Sequence, residues 1–147
     1  MKKRNKPKKI LIMGLPGSGK TFLAKEVYKS LNAVWINADK VRNHFKDWDF
    51  TKEGRIRQAK RLNSLSNQVI KKGKNVVVDF VCPNKDSSKH FKADFIIWMD
   101  TIKKGRHLRK HLDDLNPIFK KPKKINLHIT TQDSKFWKAI ALDNILK

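Results

Sequence analysis

Cysteine is almost missing from this chain: Cys82 is the only one. That excludes an intramolecular disulfide framework and a cysteine-based zinc site, and it makes a reducing, cytoplasmic setting the default. No apolar run approaches the ~20 residues needed to cross a bilayer. The basic stretch 1–9 has the charge of an export signal. The apolar run behind it, Ile10 to Met13, is too short for a signal core, so no export signal is read. Low-complexity linkers and internal repeats are absent too. Residues 8–147 are therefore expected to form one domain with one core, behind a disordered basic tail over 1–7.

Acidic residues are scarce, 13 against 35 Lys and Arg, which leaves a formal charge of +22. One reading is a polyanionic partner such as nucleic acid. The other is codon bias, because 28 of the 35 basic residues are Lys and only 7 are Arg. Those lysines are spread along the chain without interleaved aromatics, so a nucleic-acid partner is allowed but not favoured. A small nucleotide substrate gains from a positive field either way. No membrane partner is implied, and a homodimer is left open.

What is present is a strong local signal. Lys8 to Met13 reads as a buried strand that runs into Gly14-Leu15-Pro16-Gly17-Ser18-Gly19-Lys20-Thr21. From Gly19 to Leu31 the spacing predicts a helix with Phe22, Leu23, Val27 and Leu31 on one face. Strand, glycine loop and helix in that order form a phosphate-binding loop. Its backbone N–H groups cradle a β-phosphate, Lys20 reaches the β- and γ-phosphates, and the Thr21 hydroxyl suits Mg²⁺. ATP and Mg²⁺ are the implied ligands.

Further strands are expected at 33–37, 75–79, 93–99 and 126–130. Helices are expected just after Asp39, over 52–72 with Gly73 as the stop, and over 134–146. This alternation predicts an α/β fold of three layers with a parallel five-stranded sheet. Ligands of such sheets sit beyond the C-terminal ends of the strands. Asp79, ending the third strand, is placed to orient the magnesium shell, or simply caps the strand. Asp39 can accept a proton from a substrate hydroxyl and Arg42 can grip an anion. The plain alternative is a helix N-cap with a solvated Arg one turn later. His107 and His111 have metal-ligand spacing but no evident third ligand, so no zinc site is read. Trp98 and Trp137 are expected in the core or an interface.

The order of motifs resembles adenylylsulfate kinase, which phosphorylates the 3′-hydroxyl of adenosine 5′-phosphosulfate. Asn37-Ala-Asp39-Lys-Val-Arg42 is similar to that family's segment after the second strand. Asp49-Phe50-Thr51, Gly54-Arg55-Ile-Arg57-Gln58, Phe80-Val81-Cys82-Pro83, Met99-Asp100-Thr101, Pro117 to Pro122 and Ile129-Thr130 follow in the family's order. The resemblance implies sheet order 2-3-1-4-5 and a phosphoryl transfer to a nucleotide hydroxyl. Asp39 would face that hydroxyl, and Arg42 and Arg55 would hold the phosphosulfate. Phe50 would stack on the acceptor adenine, and Gln58, Cys82 and Pro83 would line the acceptor pocket. Arg106 or Arg109 would supply a lid cation. The chain departs from the family at Asn37-Ala38, at Gln58, at Asp79 and in a shortened lid between Arg109 and Pro117. An acceptor that is another nucleotide or a nucleic-acid hydroxyl, and a non-catalytic ATP-binding module, stay open beside this reading.

Overall fold

The computed structural model describes residues 6–81, 85–103 and 124–147, without the side chains of 85 and 86. Five strands, β1 (Lys9–Met13), β2 (Ala33–Asn37), β3 (Asn75–Asp79), β4 (Phe95–Met99) and β5 (Leu127–Ile129), form one parallel sheet. Their order is β2-β3-β1-β4-β5, as the resemblance implies. All five residues of β1 are buried. An unbroken apolar run belongs in such a central strand, which is covered on both faces. Its neighbours hold it in register, with Ile12 opposite Asp79 on β3 and opposite Ile97 on β4.

The helices are α1 (Lys20–Val27), α2 (Ala38–Phe45), α3 (Lys52–Lys71), α4 (Lys85–His90) and α5 (Trp137–Ile145), the last preceded by a 3-10 turn at Ser134–Phe136. Alternate strand residues point to opposite faces, so the sheet makes two apolar clusters, one on each face, in place of the one core expected. On one face Ile10, Ile12, Val77 and Ile97 pack with Leu23 and Val27 of α1 and Trp137 and Ala141 of α5. On the other, Leu11, Val76, Val78 and Trp98 pack with Ala59 and Leu62 of α3 and with Phe91. Trp98 and Trp137 are thus both core residues.

Two expectations need correction, and one helix is new. Helix α1 stops at Val27 instead of Leu31, because the chain must turn back into β2. Asn32 takes a left-handed φ of 49°, and the Ala33 N–H returns to the Tyr28 carbonyl at 2.9 Å. Phe22 is not on the core face: it is 48% exposed and meets the Trp137 ring edge-on at 5.9 Å. Helix α4 has no counterpart in the sequence reading. Among the described residues no helix is long and apolar enough to cross a membrane.

Candidate functional site

The C-terminal ends of β1, β2 and β3 converge on the loop from Gly14 to Lys20. Gly17 and Gly19 have φ of 87° and 102°, in the left-handed region that glycine tolerates. A Cβ on Gly19 would lie 2.5 Å from the Trp137 ring, so that ring packs directly on the loop. Two hydrogen bonds close the turn: Ser18 N–H to the Leu15 carbonyl at 3.1 Å, and Thr101 Oγ1 to the Ser18 carbonyl at 2.7 Å. Helix α1 then starts with no capping side chain and no acidic residue in its first turn. Its free N–H groups and positive dipole end are left for an anion.

Lys20 is buried, and its Nζ donates to the Leu15 carbonyl at 3.1 Å. Burial pushes its pKa down to about 8, while the charges of Asp79 and Asp39 pull it back up. Asp79 is buried at the end of β3, level with Asn37 of β2. Its carboxylate accepts from Trp35 Nε1 at 2.6 Å, Asn37 Nδ2 at 2.8 Å and Thr21 Oγ1 at 3.3 Å. Burial raises the Asp79 pKa, and the Trp35 and Asn37 hydrogen bonds and the Lys20 charge oppose that rise. Hydroxyl and carboxylate oxygens are the hard donors that Mg²⁺ takes. Among the described residues no three His, Cys, Asp or Glu side chains gather as a metal cage. A cation at Thr21 and Asp79 would complete its shell with water and phosphate oxygens, the usual state of Mg²⁺ beside a nucleotide.

Asn37 and Trp35 are the partners that sequence reasoning missed. Asn37 also caps α2, accepting from the Lys40 N–H at 2.9 Å. The available signal was position: an Asn that ends a strand and opens a helix, with an aromatic two residues earlier on the same strand face. Asp39 lies in the first turn of α2 and is exposed. It is not the N-cap; Asn37 is.

The acceptor-side residues behave differently. Arg42 is 4% exposed, and its Nη1 donates to the carbonyls of Asp47 and Asp49 at 3.0 and 3.2 Å. Its guanidinium carbon sits 4.4 Å from the centre of the Phe50 ring. Arg42 therefore braces the 46–51 loop from inside, where the sequence alone suggests an open anion grip. The same contact occupies the Phe50 ring that the resemblance assigns to an adenine. Arg55 Nη1 donates to the Phe50 carbonyl at 2.6 Å, whereas its Nε is buried without a partner. Gln58 is fully buried; its amide donates to the Ala38 carbonyl at 2.9 Å and its oxygen accepts from Arg61. It ties α3 to α2 and does not line an open pocket. Arg57 and Arg61 complete the loop by gripping Asp47 at 2.7 and 3.2 Å. Cys82, Pro83, Arg106, Arg109, His107 and His111 lie outside the described residues.

Comparison with known proteins places this geometry. The fold is similar to that of an APS kinase from Mycobacterium tuberculosis in complex with AMPPNP and APS, at 18% identity and a TM-score of 0.75, over 98% of this chain and 100% of that one. It is similar to a gluconokinase from Sinorhizobium meliloti 1021, at 13% identity and 0.69, over 97% and 94%. It is also similar to a shikimate kinase from Acinetobacter baumannii in complex with shikimate, at 14% and 0.63, over 96% and 91%. At these identities the likeness establishes the P-loop kinase fold and leaves the acceptor unassigned. No curated protein sequence matches the chain. A family model does: the one for Zeta toxin matches residues 1–96, which carry the phosphate loop, Asp39, the braced 46–51 loop and Asp79. The chain belongs to the Zeta toxin family.

Proposed function

We propose that this protein is a phosphotransferase that moves the γ-phosphoryl group of ATP to a hydroxyl of a small-molecule acceptor. The observation that carries the reading is the cluster at the strand ends: a buried Lys20 under an uncapped helix start, with Thr21 and Asp79 joined at 3.3 Å. The loop N–H groups and Lys20 would hold the β- and γ-phosphates. Thr21 and Asp79 would hold Mg²⁺, which neutralises charge on the phosphate oxygens. Asp39, whose charge reaches Lys20, would face the acceptor hydroxyl and take its proton. Little covalent chemistry is asked of the protein; positioning and fixed charge supply most of the rate. The lid cation assigned to Arg106 or Arg109 belongs to the same proposal.

The motif order makes the 3′-hydroxyl of adenosine 5′-phosphosulfate the first acceptor to try. Arg55 Nε is buried without a partner, so this side chain would have to turn outward to meet that anion. Arg42 is already committed to chain carbonyls, which favours an acceptor that needs fewer guanidinium contacts than a phosphosulfate. ATP consumption measured with adenosine 5′-phosphosulfate, other nucleotides, gluconate, shikimate and oligonucleotides separates these cases. Stimulation by one acceptor identifies the reaction. ATP binding without stimulation by any of them would turn the reading into a nucleotide-binding module.

A further inference from the structure

The site at the C-terminal edge of the sheet leaves the opposite end of the α3–α4 surface unexplained. An open groove of about 600 Å³ lies there. Lys60, Ser64, Asn67, Gln68 and Lys71 of α3 form one wall, and His90 at the end of α4 closes it. Asn63, also in the lining, accepts from Lys9 Nζ at 2.7 Å. Lys9 begins β1, whose other end carries the phosphate loop, so groove and loop sit at opposite edges of the sheet.

We propose that this groove docks the phosphodiester backbone of duplex nucleic acid, independently of the phosphate loop. The lining holds two lysines, a histidine, three amides, a hydroxyl and one apolar side chain, Ile70, and no Asp or Glu. Residues 60, 64, 67, 68 and 71 recur at helical spacing, so the donors form one stripe. Eleven residues of helix separate Lys60 from Lys71, about 16 Å at ~1.5 Å per residue. A duplex strand turns about halfway round its axis in five steps, so a straight stripe of this length meets only about two or three consecutive phosphates of one strand. No Phe, Tyr or Trp lines the groove, so it offers nothing for unpaired bases to stack on. That favours a backbone-only contact with a duplex over a single strand. The C-terminal ends of α3 and α4 each set about half a negative charge nearby. The full charges of Lys60 and Lys71, with exposed Lys89 and Lys92 beyond them, outweigh that. It is the placement of these lysines, not the lysine count, that carries the inference.

The test is fluorescence anisotropy of the full chain with a labelled, mixed-sequence DNA duplex, from about 50 to about 200 mM salt. Two double variants remove equal charge: Lys60→Glu with Lys71→Glu in the groove, and Lys25→Glu with Lys138→Glu on the opposite face of the sheet. The groove pair should weaken binding at least ~tenfold and flatten the plot of log affinity against log salt by about 2. The control pair should cost less than ~threefold. Equal losses in the two pairs would overturn the proposal. So would a wild type that does not bind the duplex, or one that binds a single strand or polyglutamate more tightly. Lys60→Gln with Lys71→Gln, checked for an unchanged melting curve, keeps the test decisive if the Glu pair misfolds.

Discussion

Lys20 and Arg42 are both buried cations near the same edge of the sheet, 8% and 4% exposed, and they are held in opposite ways. Lys20 has a single carbonyl partner among the described residues and sits under free helix N–H groups. Arg42 holds two carbonyls and covers the Phe50 ring. Burial lowers the pKa of both. On the phosphotransferase reading proposed above, the contrast separates a cation kept for a ligand from a cation used as a strut. A buried ammonium with few internal bonds costs stability that a bound anion can offset. A buried guanidinium on backbone carbonyls has already been compensated by the chain itself.

The strongest way to break this comparison is Lys20→Ala. It should leave almost no phosphoryl transfer with the melting temperature unchanged or raised, because the desolvation cost of the ammonium goes with it. Turnover near the wild-type level would end the phosphotransferase reading. Next comes Asp39→Asn, for which kcat should fall by ~10²–10⁴ with the KM for ATP within about twofold. A loss confined to ATP binding would move Asp39 from the acceptor to the magnesium shell. Arg42→Lys tests the strut. Two backbone contacts become strained or lost, and denaturant unfolding should show a loss of about 2 kcal/mol. Intact stability with an acceptor KM raised tenfold would make Arg42 a ligand group after all.

A smaller effect follows from the Lys20 pKa of about 8. Above that pH the free protein loses the charge that attracts phosphate, so the Kd for ATP should rise by up to ~tenfold per pH unit. Stability of the unliganded chain should move the other way. The unfolded lysine keeps its proton to about 10.4, so between these values the unfolded state binds more protons and stability rises with pH. Calorimetric ATP titrations and melting curves across that window check both signs. Gly54→Ala sharpens the strut half alone. Alanine normally favours a helix over glycine by ~1 kcal/mol. Here its Cβ would collide with the Asp49 carbonyl, so the substitution should destabilise by about 1–2 kcal/mol. A gain in the midpoint of unfolding would show that the 46–51 loop is not seated on α3 as described.

Strand positions and the phosphate loop were legible because short apolar runs and left-handed glycines leave few alternatives. The run 75–79 could be little else than a buried strand, while its last residue, Asp79, read equally as a magnesium-shell residue and as a strand-end cap. Helix α4 was not legible, since Lys85 to His90 contains no apolar residue to set a period. Residue type and spacing also could not say where a guanidinium points. Arg42, Arg55 and Gln58 are polar residues at plausible distances from a ligand. Whether they turn outward or toward a carbonyl is decided by tertiary neighbours: the carbonyls of Asp47 and Asp49 for Arg42, of Phe50 for Arg55 and of Ala38 for Gln58. The motif match for 54–58 is consistent with ligand contacts and with internal bracing alike.

The contact between Gly19 and Trp137 also has a consequence in time. Residues 14–21 leave the ribosome well before the ring that packs on Gly19, which comes more than a hundred residues later in the sequence. A second tie spans a still longer stretch: Lys8 Nζ donates to the Ile145 carbonyl at 3.0 Å. Strands β1 and β3 can pair long before α5 exists, but the wall behind the phosphate loop cannot. At ~5–20 residues per second of synthesis, the loop waits several seconds for its backing. Contacts this distant in sequence are also the slow ones to close in refolding. A growing chain of this protein would acquire its sheet first and the finished wall of its phosphate loop last.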